Sequence, residues 1–175
     1  QKITYDDQQK AAIKQALEAP VLLLTGGPGT GKTTILNGIV RAYRRLLKED
    51  GQKLHAWSDG EPIQLVAPTG RAAKQARQAI TGEGVAASTI HHFLSIATDN
   101  DAARLIEKPA PLENAGQMLV VDEMSMTSTL LMGGLMAVIP TNIHLVLVCD
   151  FDQLPSVGPG QVFRDLLESN CLPQV

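Results

Sequence analysis

Residues 26–33 read Gly-Gly-Pro-Gly-Thr-Gly-Lys-Thr and match G-x-x-x-x-G-K-[ST], the phosphate-binding P-loop. No other feature constrains the fold as strongly, because such a loop works only between a strand and a helix. Both neighbours are present. Val21-Leu22-Leu23-Leu24-Thr25 is a short apolar strand. Residues 31–48 carry Ile35, Leu36, Ile39, Val40, Tyr43, Leu46 and Leu47 at helical spacing, which predicts a helix with these on one face. Glycines let backbone N–H groups curl around a phosphate without Cβ clashes, and the positive end of the helix adds to the attraction. The candidate nucleotide contacts are Gly27, Pro28, Gly29, Thr30, Gly31, Lys32, Thr33 and Thr34. Lys32 is expected to reach the β- and γ-phosphates of ATP, and the Thr33 hydroxyl to bind Mg²⁺. The competing reading is a glycine-rich turn that binds nothing.

Strands and helices alternate along the rest of the chain. Helices are expected over 6–19, 70–80, 127–139 and 161–168, with a short one ending at Leu94 that Ser88 or Thr89 would cap. Further strands are expected over 63–67, 118–121 and 144–149. Residues 52–61 and 95–116 read as irregular. The order predicts an α/β fold with a mainly parallel sheet and helices on both faces. Its site is expected at the C-terminal ends of the strands.

A chain of 175 residues suits one domain, and with 3% aromatic residues its core must be aliphatic. The apolar runs are too short to span a bilayer, and no signal peptide is visible. Cys149 and Cys171 lack metal-ligand spacing and read as reduced thiols. A cytoplasmic monomer without a membrane partner is the expectation. The net charge of −3 means that any nucleic-acid contact must come from a local basic patch or from other parts of a larger protein.

Polar groups follow every predicted strand. Asp122-Glu123 comes directly after Met118-Leu119-Val120-Val121. One carboxylate there can hold the Mg²⁺ shell, and its neighbour can activate a water for attack on the γ-phosphate. Asp122 is the candidate metal-side acid and Glu123 the candidate general base. The alternative makes the two acids a helix N-cap. Asp150, Asp152 and Gln153 follow the strand over 144–149, and the Gln153 amide can sense a γ-phosphate. Lys32, Asp122, Glu123 and Gln153 thus form the candidate catalytic set.

Five segments occur in order: residues 26–33, Ala67-Pro68-Thr69-Gly70-Arg71-Ala72-Ala73, Ala87-Ser88-Thr89-Ile90-His91, Val120-Val121-Asp122-Glu123-Met124-Ser125-Met126, and Asp150-Phe151-Asp152-Gln153-Leu154-Pro155-Ser156-Val157-Gly158. They resemble motifs I, Ia, Ib, II and III of superfamily 1B helicases, most closely the RecD/TraA branch of the exodeoxyribonuclease V alpha-subunit type. Tyr5-Asp6-Asp7-Gln8-Gln9-Lys10-Ala11-Ala12-Ile13 resembles the family's Q motif, with Gln9 at the adenine-reading position. The resemblance implies a RecA-like P-loop NTPase fold, serving an ATP-driven 5′→3′ DNA helicase that acts on single-stranded DNA in repair or recombination. It implies that motifs Ia and Ib grip the strand, which makes Thr69, Arg71, Thr89 and His91 the DNA candidates. Lys74 would add charge beside Arg71. Thr89 as a helix cap, and Arg71, Lys74 and Arg77 as a solvated helix face, are the alternatives. The stretch 95–116 falls where this family inserts a small duplex-splitting hairpin, and Leu105, Ile106 or Pro109 would be its wedge.

Two departures stand out. The family usually has Gly before the motif III Asp, where this chain has Cys149; the thiol would pack into the core or narrow the pocket. Motifs IV to VI, with the arginines of a second RecA-like lobe, are not in these residues. The chain therefore resembles the first lobe of a motor, with a second lobe and nuclease-complex subunits as implied partners. The rival functions are a P-loop kinase, a non-catalytic nucleotide-binding module, and a P-loop ATPase with a non-DNA target. A kinase has no use for a water-activating Glu beside the metal-side Asp, and a non-catalytic module has no need of it.

Overall fold

The computed structural model describes residues 4–27, 29–49, 57, 61–80, 85–112, 117–150 and 160–175. Helix α1 (Asp7–Glu18) starts at Asp6, whose carboxylate accepts from the Gln9 N–H while the Gln9 side chain accepts from the Asp6 N–H. This reciprocal capping box satisfies two N–H groups that the helix itself leaves unpaired. Strand β1 (Val21–Thr25) leads through the glycine loop to helix α2 (Lys32–Glu49). Strand β2 (Ile63–Ala67) and helix α3 (Gly70–Ala79) follow, then strand β3 (Ala86–Thr89) and helix α4 (Ile90–Leu94). Helix α5 (Ala102–Glu107), strand β4 (Met118–Val121), helix α6 (Thr129–Val138), strand β5 (His144–Cys149) and helix α7 (Val162–Ser169) complete the order.

The five strands form one parallel sheet in the order β1-β5-β4-β2-β3. Residues 173–175 pair along the free side of β1, with Leu23 N–H donating to Pro173 and Val175 N–H donating to Leu23. Alternate strand residues face opposite layers, as a period of two requires. Leu22, Leu24, Ile63, Leu65, Met118, Val120, Val146 and Val148 pack under α1 and α2. Leu23, Val66, Leu119, Val121, Leu145, Leu147 and Cys149 pack under α4, α6 and α7. Full burial of one such aliphatic side chain stabilises by about 1.5–3 kcal/mol. The expected α/β sheet covered on both faces is therefore the fold observed. No described helix is long and apolar enough to cross a membrane.

Several expectations need correction. Strand β3 lies within residues read only as leading into a capped helix, because Ala-Ala-Ser-Thr is short and weakly apolar. Its pairing with β2 supplies what its side chains lack. Leu46, placed on the buried face of α2, is 44% exposed. Residues 99–107, read as irregular, form a 3₁₀ turn (Asp99–Asp101) running into α5. That helix lies flat on α6: a Cβ on Gly134 would come within 2.7 Å of the Ala102 Cβ, so glycine permits the approach. Trp57, in the polar stretch 52–61, is buried; its indole N–H donates to the Met118 carbonyl at 3.2 Å and its ring meets Phe93 edge-on at 5.3 Å.

Candidate functional site

The loop after β1 holds its shape through glycine. Gly31 has φ +89°, a left-handed conformation that L side chains rarely adopt, and the Gln9 side-chain nitrogen lies 3.2 Å from where its Cβ would be. Gln9, on α1, is thereby brought against the loop. The Thr30 hydroxyl donates to the Gly27 carbonyl at 2.9 Å. Lys32 and Thr33 open α2, so the unpaired N–H groups of its first turn face the loop. The Lys32 ammonium donates to the carbonyls of Gly26 and Gly27, the latter at 2.7 Å, and to Asp150 Oδ2 at 3.3 Å. Asn37 anchors the helix from below, donating to Thr33 O at 3.0 Å and to Ala79 O at 2.7 Å.

Strand β4 ends at Asp122, whose N–H donates to Val66 O of β2 at 2.9 Å. One Asp122 oxygen accepts from the Glu123 N–H at 2.9 Å. Glu123 has φ 52° and ψ 42°. A non-glycine residue in this region costs about 1–3 kcal/mol, and such strain collects where a side chain must be aimed. Neither acid caps a helix: Glu123 makes no side-chain cap bond, and Ser128 caps α6 by accepting from the Leu131 N–H. The helix-cap alternative is thus removed. Burial pushes the Asp122 carboxyl above its usual range, against the pull of its bond from Glu123 N–H and of Lys32. Burial and the Asp122 charge push Glu123 up as well, against the pull of Arg71.

A raised carboxyl pKa means that the folded state binds protons more tightly than the unfolded chain. Stability then falls as pH rises from the unfolded value through the folded one. Asp122→Asn is accordingly expected to raise the melting temperature of the nucleotide-free chain at pH 7, by about 2–4 °C per kcal/mol relieved. The gain should vanish below pH ~4, where the unfolded carboxyl is itself protonated. Thermal melts at both pH values check this, and a lower melting temperature at pH 7 would refute it.

Lys32, Thr33, Leu36, Asp122, Glu123, Val148, Cys149 and Asp150 line one cavity of about 170 Å³. The Thr33 hydroxyl and the Asp122 carboxylate are hard oxygen donors on its wall. That set fits Mg²⁺, which keeps several waters and takes one or two protein oxygens beside substrate phosphates. No cluster of three acidic, His or Cys ligands occurs among the described residues. Cys149 is buried in the core on one face of the sheet and also lines the cavity. Both cysteines are free.

The DNA candidates follow β2 and β3, farther along the same edge of the sheet. Thr69 caps α3, accepting from the Ala72 N–H at 3.1 Å, and Thr89 caps α4, accepting from the His92 N–H at 3.1 Å. Capping uses the hydroxyl as acceptor and leaves its proton to donate. Arg71, Lys74 and Arg77 are exposed along α3. His91 Nε2 lies 2.8 Å from Asp99 Oδ1, and the other Asp99 oxygen accepts from the Ser128 hydroxyl. The Asp99 carboxylate therefore ties α4 to the start of α6.

A family model described as an AAA domain (AAA_19) matches residues 9–159. The RecD subunit of the RecBCD enzyme from Mycolicibacterium smegmatis is 36% identical over 93% of this chain and 30% of its own length. The ATP-dependent RecD2 DNA helicase of Deinococcus radiodurans is 34% identical over 88% of this chain and 19% of its own length. The chain belongs to the AAA domain family, and it resembles the motor domain of RecD-like superfamily 1 helicases. It spans less than a third of the length of these relatives. Among solved structures, the Pif1 helicase of Candida albicans shares the fold with a TM-score of 0.57 at 23% identity, covering 89% of this chain and 34% of that one.

In this RecD-like domain the C-terminal edge of the sheet reads, in space, P-loop, Asp150, Asp122-Glu123, Thr69-Arg71, Thr89-His91. Lys32, Thr33, Asp122 and Glu123 meet in one cavity, and the DNA candidates do not line it. Pro28 and Gln153 lie outside the described residues. The sequence marks Asp150 only as a strand-end acid and gives no sign of its contact with Lys32, 118 residues away in sequence. The signal was its position at the end of a strand, but which strand adjoins the P-loop is not written in local sequence.

Proposed function

We propose that this chain is the ATP-binding lobe of an ATP-dependent helicase that moves 5′→3′ along single-stranded DNA in repair or recombination. The observation that carries the reading is the single cavity shared by Lys32, Thr33, Asp122 and Glu123. In it, Lys32 and the loop N–H groups would hold the phosphates, and Thr33 and Asp122 would hold Mg²⁺, which would offset charge on the transferring phosphate. Glu123 takes a proton from the attacking water. Gln9, which lies beside Gly31, would read the adenine. A second RecA-like lobe in a longer parent protein would close the cavity. The relatives named as RecBCD subunits support a nuclease complex as one setting, and the RecD2 helicase supports action outside it.

The DNA surface is the edge formed by α3 and the start of α4. Arg71 and Lys74 supply positive charge, and Thr69, Thr89 and His91 supply donors for backbone phosphates. The test is ATP turnover by the parent protein with and without single-stranded DNA. Stimulation by DNA is expected, and its absence would leave a P-loop ATPase with another target. Arg71→Ala should weaken single-strand binding and flatten its dependence on salt by about one counterion, or ~0.7 in the log–log slope. Equal affinity and slope in a salt titration would remove Arg71 from the interface.

A further inference from the structure

We propose that Asp150 is a positioning residue: it latches the Lys32 ammonium away from the phosphate site and must release it before nucleotide binds. This rests on the reading of the cavity as a nucleotide site. An ammonium has three donors and no acceptor. In the structure all three are taken, by Gly26 O, Gly27 O and Asp150 Oδ2. None remains for a phosphate. The side chains are 17% and 9% exposed, so the pair is shielded from water and salt more than a surface pair would be.

The latch is set by the register of the sheet. Thr25 of β1 pairs with Cys149 of β5, so Gly26 and Asp150 are the next residues out from a matched pair on neighbouring strands. Lys32, opening α2, reaches back across that junction. When a phosphate arrives it competes with a carboxylate for one ammonium. That competition opposes binding, with or without Mg²⁺. A carboxylate whose task was to hold the Mg²⁺ shell would do the opposite, favouring binding and only when the metal is present.

The experiment measures Kd for ADP and for a non-hydrolysable ATP analogue by calorimetry, with and without Mg²⁺. It compares the wild type, Asp150→Asn, Lys32→Ala and the double variant. Asp150→Asn is expected to tighten both nucleotides on the order of tenfold. The gain should appear with and without Mg²⁺, and should disappear in the Lys32→Ala background. Asp150→Ser, which removes the charge with different packing, should reproduce it if the Asn variant does not fold. Weaker binding confined to Mg²⁺ would overturn the latch in favour of a metal-shell role. Unchanged or uniformly weaker binding would overturn it outright. A wild type that binds no nucleotide would overturn the nucleotide reading, and the latch with it.

Discussion

Glu123→Gln is expected to lower ATP turnover about 10²–10⁴-fold while leaving nucleotide affinity near that of the wild type. The amide keeps the shape of the side chain and loses only its ability to take a proton. The left-handed backbone at Glu123 turns the residue out of line with β4, next to a half-buried Asp122 just past the strand end. Burial and the neighbouring charge raise the Glu123 carboxyl, which makes it a stronger base than a free glutamate, and Arg71 limits the rise. The metal is assigned to Thr33 and Asp122, so binding should survive. Turnover in the parent protein and Kd for an ATP analogue are the two measurements. Unchanged turnover would sink the assignment. Loss of binding together with turnover would move Glu123 to the metal.

This chain alone is expected to hydrolyse ATP about 10³–10⁵ times more slowly than a parent protein with a second lobe and single-stranded DNA, since that is the worth of a transition-state arginine. The cavity shows why. Among the described residues that line it, Lys32 is the one cation, facing Asp122, Glu123 and Asp150. Negative charge spreads over the phosphate oxygens in the transition state, and one lysine among three carboxylates cannot offset it. Nucleotide should still bind through the loop. Turnover by this chain, alone and with DNA, against the longer protein decides the matter. Rapid DNA-stimulated hydrolysis, or unwinding, by these 175 residues would refute the two-lobe reading.

Local sequence was sufficient where a signal is written in adjacent residues. The acidic start of α1, the apolar runs of β1, β4 and β5, and the P-loop are all short-range patterns. Their boundaries fall within two residues of expectation. It was insufficient where an element exists because of its neighbours. Strand β3 has little apolar content and forms because β2 offers an unpaired edge. Helix α5 has only six residues, too few to be stable alone, and is held by packing on α6.

The sequence by itself determined that a strand, a glycine loop and a helix would present a lysine and a threonine to a phosphate, and that acids would stand at strand ends. Those facts follow from spacing within a few residues. The order of the strands was decided only in the tertiary structure. By inserting β5 and β4 between β1 and β2, the fold sets Asp150 against Lys32 and brings Asp122 and Glu123 into the same cavity, with Thr69 and Thr89 farther along the sheet. Strand order depends on which faces can be buried together across a whole layer, and no local pattern records it.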